Sequence, residues 1–138
     1  MKLLIDTNVI LDIFLKREPF FADSYAAIRK AAEQDVECCL SASAVTDIFY
    51  ILRKALQSAE QAKLILNNLM QLAAFSDVLA SDLMDALASE MSDFEDAVVN
   101  AVAVRIGAAY ILTRNTKDFE KAEIPAMSPA DFLKLEIK

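Results

Sequence analysis

The chain has 138 residues, 56% of them apolar, with a single glycine and three prolines, a composition typical of one compact globular domain over residues 1–138. It has no histidine, which excludes Ser-His and Cys-His nucleophilic catalysis and histidine-ligated zinc, and one glycine is too few for a P-loop or a dinucleotide-binding motif. The formal net charge of −7 argues at face value against nucleic-acid binding, an argument that weakens if metal ions fill an acidic pocket.

Apolar runs and helical spacing alternate along the chain. The predicted elements, in order, are a strand over 3–5, helices over 9–14 and 20–33, a strand over 36–40, a helix after 41, a helix over 59–72, a weaker strand over 75–79, a helix over 81–90, a helix ending at 106, a strand over 109–112, a short strand over 124–127 and a helix from 129. This order predicts an α/β fold, a three-layer doubly wound parallel sheet of four to five strands flanked by helices.

Short polar residues mark where these helices begin. The predicted N-terminal caps, in chain order, are Thr7 and Asn8, then Ser41 or Ser43, then Ser81 or Asp82, then Ser92 in a capping box with Glu95, and finally Ser128. Gly107 suits the left-handed position that follows a helix.

No apolar run approaches the roughly 18 to 20 residues that cross a bilayer, and Asp6 interrupts the apolar start, so we expect a cytoplasmic protein with no membrane contact. Cys38 and Cys39 have no third cysteine to pair with and are expected to be core residues. The high apolar fraction also predicts a further buried surface, most simply that of a homodimer.

Polar and mostly acidic side chains fall at four places near the ligand-binding edge of such a sheet. Asp6 follows the first strand, and Asp47 lies in the helix after the second. The other two places are Asp93 with Asp96 and Asn100, which share one helical face, and Asn115 with Asp118 after the strand over 109–112. Three or four carboxylates in one pocket need a cation, and oxygen-only ligands favour Mg²⁺ or Mn²⁺.

Four segments, LLIDTNVILDIF, SASAVTDIFYIL, SDFEDAVVNAVA and AYILTRNTKDFE, together resemble the PIN domain family, in the bacterial branch of ribonuclease toxins from toxin–antitoxin pairs. The resemblance spans nearly the whole chain. It implies a five-stranded parallel sheet, Mg²⁺ or Mn²⁺ held by acids, and hydrolysis of RNA phosphodiester bonds. It also implies an RNA substrate, an antitoxin partner and a homodimer.

Carried over by position, the resemblance makes Asp6, Asp96 and Asp118, with Asp47, the expected metal-binding and catalytic acids. Asp47 stands where many relatives have glutamate, and either Asn115 or Asp118 completes the set. The residues expected to support these acids or to contact substrate are Thr7, Asn8, Asp93, Asn100, Thr113, Arg114 and Asn115, with Arg114 as the phosphate contact.

Plainer interpretations stand beside these. Asp93 also fits compensation of the helix dipole, and Asp12 is expected to be solvated or capping. Phe14, Phe20 and other aromatic residues are interpreted as core or dimer contacts. Two other functions stay open, a non-catalytic PIN-like RNA-binding or scaffold module and an aspartate phosphoacceptor or phosphatase domain. The second of these would be expected to have another aspartate two residues after Asp6, where this chain has asparagine.

Overall fold

A computed structural model describes residues 1–137 and shows one sheet of five parallel strands in the order β3-β2-β1-β4-β5. The strands are β1 Lys2–Ile5, β2 Glu37–Ser41, β3 Ala74–Ser76, β4 Tyr110–Leu112 and β5 Ala126–Met127. The helices are α1 Thr7–Phe14, α2 Phe21–Glu33, α3 Ala42–Leu56, α4 Ala59–Leu72, α5 Ala80–Ala88, α6 Phe94–Ile106 and α7 Pro129–Lys134, with a 3₁₀ helix at Thr116–Phe119. The expected α/β fold is confirmed.

Apolar side chains cover both faces of the sheet, as a parallel sheet requires. Leu3 and Ile5 of β1 belong to a core that includes residues of α1 to α4 and α7, whereas Leu4 belongs to a core built mainly with α6. All three are at most 1% exposed. Cys38 and Cys39 are buried, free thiols on β2, as expected of core residues.

The chain changes direction across the sheet at β1. From β1 the chain continues to β2 and β3, which lie on one side of β1 in the sheet. β4 and β5 lie on the other side of β1. β1 is hydrogen-bonded to both β2 and β4, so the boundary between the two halves lies beside it. In doubly wound sheets the crevice at this boundary, outside the carboxyl ends of the strands, is where ligands bind.

Three of the predicted helix caps are wrong. Asp6, not Thr7 or Asn8, caps α1, and its Oδ1 accepts a hydrogen bond from the Thr7 backbone N–H at 2.8 Å. Asp93, not Ser92, caps α6, because its Oδ1 reaches the Asp96 N–H at 3.0 Å. Neither predicted residue occupies the cap of α5, although Asp82 at the third helical position accepts from the Leu79 N–H at 2.8 Å.

The other residues that were predicted to begin or end helices are confirmed. Ser41 caps α3 and Ser128 caps α7, and Gly107 follows α6 with φ +75, in the left-handed region. β3 is shorter than predicted, since it ends at Ser76 and leaves 77–79 outside the sheet. Within residues 1–137, no helix combines the length and the apolar character that crossing a membrane takes.

Candidate active site

Asp6 lies at the junction between β1 and α1. Its backbone N–H donates to the Leu112 carbonyl at the end of β4, which ties the junction to the neighbouring strand. Its side-chain Oδ2 accepts hydrogen bonds from the Thr113 hydroxyl at 2.8 Å and the Asn8 amide at 3.2 Å. The carboxylate is therefore held in one orientation by donors from the start of α1 and from the turn after β4.

Thr113 and Asn8 form a small network around this carboxylate. The Asn8 amide also donates to the Thr113 Oγ1 at 3.2 Å, and its Oδ1 accepts the Arg114 backbone N–H at 3.2 Å. The Asn115 N–H donates to the same Thr113 oxygen at 3.0 Å. Thr113 is fully buried, so these bonds fix the turn after β4 against the start of α1.

Three of the expected acids surround one cavity of about 260 Å³. Asp6, Asp47 and Asp96 line it from α1, α3 and α6 respectively, and Thr7 lies at its edge. Apolar side chains that include Leu83 and Phe94 form the opposite wall. Acids separated by up to 90 residues of sequence thus share one crevice at the carboxyl edge of the sheet.

Burial and charge repulsion shift the pKa values of the acids in this cavity. Burial raises the pKa of Asp6, although hydrogen bonds from Thr113 and the Thr7 backbone pull it down. The pKa of Asp96 is raised to about 7, first by burial and then by the neighbouring charges of Asp93, Asp6 and Asp118. A carboxyl with a pKa near 7 is half protonated at neutral pH, a state that an added cation would reverse.

These effects on pKa also distinguish Asp118 from Asn115, the two residues expected for the last position of the acidic site. Asp118, in the 3₁₀ helix, is near enough to raise the pKa values of both Asp6 and Asp96. Asn115 instead lines a different cavity, together with Phe20 and Arg114. Asp118 thus acts electrostatically on two acids of this cavity, whereas Asn115 lines the other one. Asp93 caps α6 beside Asp96 and adds negative charge there.

Two of the expected supporting residues are engaged elsewhere. The Asn100 side chain accepts the Ile124 N–H at 3.2 Å and lines a cavity on another part of the surface, with Glu90 and Lys121. The Arg114 guanidinium is bound to Asp12 rather than left free for a phosphate.

Asp12 itself differs from expectation, because it is fully buried instead of solvated or capping. Arg114 Nη2 lies 3.1 Å from its Oδ1 while Nε binds its Oδ2, and Arg17 approaches to 3.9 Å. A buried carboxylate needs such partners to offset the loss of water.

Sequence reasoning missed several polar groups of the cavity wall. Ser41, Ser43, Thr46 and Glu95 line it beside the three aspartates. Ser43 is placed three residues before Thr46 and four before Asp47, a spacing that puts all three on one face of α3. That spacing was the signal available in the sequence.

The donor chemistry of the cavity suits a hard divalent cation, since carboxylate and hydroxyl oxygens are the ligands of Mg²⁺ and Mn²⁺. No group of three or more acidic, cysteine or histidine side chains in residues 1–137 is already arranged closely enough to hold an ion. Unscreened carboxylates repel one another by about 4 kcal/mol at 4 Å for an effective dielectric constant of about 20, which favours such spreading.

Comparisons with known proteins place this arrangement in a family. Ribonuclease VapC1 of Aquifex aeolicus (strain VF5) is 25% identical over 138 residues, covering 95% of this chain and 92% of that protein. The crystal structure of VapBC2 from Rickettsia felis, bound to a DNA fragment from their promoter, superposes with a TM-score of 0.74 at 16% identity, over 93% of this chain and 98% of that one. A toxin-antitoxin complex from Klebsiella pneumoniae gives 0.68 at 22% identity, over 91% and 96%.

These two structures share the fold of this chain, and VapC1 adds a relative whose name is that of a ribonuclease. A family model described as PIN domain matches residues 2–117, a span that runs from the start of β1 past Asp6, Asp47 and Asp96 to the turn after β4. The chain therefore belongs to the PIN domain family.

Proposed function

We propose that this protein is a cytoplasmic, Mg²⁺- or Mn²⁺-dependent ribonuclease that hydrolyses RNA phosphodiester bonds, and that it is the toxin of a toxin–antitoxin pair. One observation carries the proposal: Asp6, Asp47 and Asp96 share a cavity at the switch point of the sheet, with Asp118 close enough to act on two of them. The likeness to ribonuclease VapC1 supports RNA as the substrate.

The cavity supplies an orienting frame for such a reaction. Thr113, Asn8 and the Thr7 backbone hold the Asp6 carboxylate with three hydrogen bonds, so that it needs no reorganisation when a cation binds. Asp6, Asp47, Asp96 and Asp118 are the residues that would hold the ion. Asp96 must release the proton that its raised pKa retains near neutral pH.

A divalent cation in this place lowers the pKa of a water molecule and neutralises charge on the leaving oxygen. The chain's own part is to bind the phosphodiester beside it. Ser41 and Ser43 line the cavity and their hydroxyls share one hydrogen bond of 3.1 Å, so one of the two can donate to a phosphate oxygen, whereas the Thr46 hydroxyl already donates to the Ser43 carbonyl at 2.9 Å. Leu83 and Phe94 add apolar surface to the lining of the cavity, and both side chains remain partly exposed.

The test is cleavage of single-stranded RNA by purified protein with Mn²⁺. We expect Asp6→Asn to reduce the rate at least 100-fold with the fold intact, and EDTA to stop wild-type cleavage. Asp85→Asn, a change of an exposed aspartate on α5, is the matched control and should cleave at the wild-type rate. Full activity of Asp6→Asn would contradict the assignment of the site.

A non-catalytic RNA-binding or scaffold module is the second candidate, and the lack of a preassembled acid group in residues 1–137 favours it. Such a module would bind RNA without cutting it at any divalent-ion concentration.

The phosphoacceptor alternative is tested by incubation with a small phosphodonor, which should leave no covalent label on Asp6. Labelling of Asp6 would replace the ribonuclease proposal.

The structural neighbour from Klebsiella pneumoniae is a toxin-antitoxin complex, which supports an antitoxin partner for this chain as well. We expect induced expression of the wild-type protein to arrest bacterial growth and Asp6→Asn to relieve the arrest, measured by optical density. Equal arrest by both forms would separate toxicity from the proposed site.

A further inference from the structure

A second cavity, of about 400 Å³, lies next to the candidate active site and is not used by the mechanism above. Its lining includes Phe20, Asp23, Ser24, Arg114, Asn115 and Ser128. Arg114 and Asn115 directly follow Thr113, whose hydroxyl binds Asp6, so the two cavities are joined through one short turn. The volume is within the range of about 300 to 1,000 Å³ typical of small-molecule pockets.

Two planar groups, the Phe20 ring and the Arg114 guanidinium above it, line this cavity. The Arg114 guanidinium carbon lies 4.0 Å from the centre of the Phe20 ring. Phe20 is 39% exposed, so of the two roles that the sequence suggested, core or dimer contact, the first is wrong. Asp12 binds the guanidinium edge and neutralises its charge, which fixes the plane and makes it poorly suited to a phosphate. Aromatic rings and guanidinium planes are the surfaces on which unpaired RNA bases stack.

The rest of the cavity offers unused polar groups. Ser24 lines the cavity, but its hydroxyl oxygen is buried beneath the surface and has no hydrogen-bond partner among residues 1–137, so the accessible polar groups are those of Asn115 and Asp23. Within the same part of the chain, the Asn115 amide makes no side-chain hydrogen bond and Asp23 makes no ion pair. An amide and a carboxylate together can read the edge of a base.

We propose that this cavity binds one nucleobase of single-stranded RNA beside the bond to be cut, with the base stacked on the Phe20–Arg114 pair. The proposal rests on the proposed ribonuclease function for its substrate. A carboxylate accepts hydrogen bonds and cannot donate them, so Asp23 favours bases with an exocyclic amine. Uracil has no exocyclic amine and offers Asp23 only its ring N3–H, flanked by two carbonyl oxygens that repel the carboxylate, so the cavity binds it more weakly.

The experiment uses ¹⁵N-labelled Asp6→Asn protein, titrated without metal with CMP, UMP and ribose 5-phosphate while amide resonances are recorded. CMP should shift the amides of residues 20–24 and 114–115, UMP should bind at least threefold more weakly, and ribose 5-phosphate should leave these amides unshifted. Phe20→Ala should weaken CMP binding about tenfold, which corresponds to about 1.4 kcal/mol.

Two further variants complete the design. Phe20→Tyr keeps the ring and should retain the binding of CMP. Tyr50→Ala removes another exposed aromatic residue that lies beside two cations, Arg53 and Lys54, and should change nothing. If Phe20→Ala fails to fold, Asn115→Ala takes its place and should also weaken CMP binding.

The outcomes separate this inference from the proposed function. Localised binding of CMP without RNA cleavage by the wild-type protein would support the base site and refute the ribonuclease. Cleavage with unshifted amides at 20–24 and 114–115, or with equal CMP affinity in wild type and Phe20→Ala, would overturn the base site alone. Equal affinities for CMP and UMP would refute the role of Asp23.

Discussion

Two aspartates of the cavity show how the same side chain takes different states from its surroundings. Asp6 accepts three hydrogen bonds that favour its charged form and partly offset its burial. Asp96 has only burial and negative neighbours, so its pKa is raised to about 7. Asp6 is thus held in one orientation suited to binding a cation. Asp96 retains a proton near neutral pH, and a bound cation would displace that proton.

This contrast predicts that Asp96→Asn stabilises the metal-free protein. Because the folded state binds the Asp96 proton more tightly than the unfolded state, stability falls as pH rises from the usual pKa near 4 toward 7 and is constant above it. The substitution should therefore raise the free energy of unfolding by about 1 kcal/mol at pH 8 and by less at pH 5, measured by urea denaturation.

The same variant should lose the rise in melting temperature that Mn²⁺ gives the wild type. Asp85→Asn serves as the control, since that residue is exposed and lies outside the cavity. An equal gain in stability at both pH values would show that repulsion at Asp96 is not the cause.

At the scale of elements, a buried ion pair adds to the hydrogen bonds that hold α1 to the end of β4. Asp12 on α1 and Arg114 after β4 are 102 residues apart in sequence and meet in a buried pair. The pair fixes the turn that carries Thr113, and Thr113 in turn orients Asp6. Stability and the geometry of the site are coupled through this one bridge.

We expect Arg114→Ala to lower the free energy of unfolding by about 3 kcal/mol, because it leaves Asp12 buried with only the distant Arg17. Arg29→Ala is the matched control, since Arg29 pairs with Glu33 in an exposed bridge one turn apart on α2. Such surface pairs contribute about 0.5 kcal/mol or less. Equal losses in the two variants, measured by urea denaturation, would contradict the importance of burial at Asp12.

For the whole molecule, the unexplained feature is an apolar face on α5. Leu83, Met84 and Leu87 are 41%, 69% and 75% exposed and share one side of the helix. Exposed apolar groups of this kind mark surfaces that bind other proteins. We propose that α5 contributes to the homodimer that the composition led us to expect.

Leu87→Lys tests this proposal, because a charge at the centre of a dimer contact costs several kcal/mol. Sedimentation should show the wild type as a dimer and the variant as a monomer with the same secondary structure. Leu64→Lys, a change of another exposed leucine (60%) on α4, should stay dimeric. A monomeric wild-type protein, or a dimeric Leu87→Lys protein, would refute the role of α5.

The sequence by itself determined the order of the elements, the parallel sheet and the position of Asp6 at a strand end. These follow from local signals, since runs such as Leu3 to Ile5 have to be buried wherever the chain folds. The helix ends were harder to place. Asp93 and Ser92 are both good caps, and only the backbone path into α6 decided between them.

Only the tertiary structure decided which polar residues meet. It brought Asp118 toward Asp6 and Asp96, turned Asn115 toward Phe20, and bound Arg114 to Asp12. The physical reason is that charges interact through space over a few ångströms, while the partners here lie up to 112 residues apart in sequence. No pattern within a window of the chain carries that information.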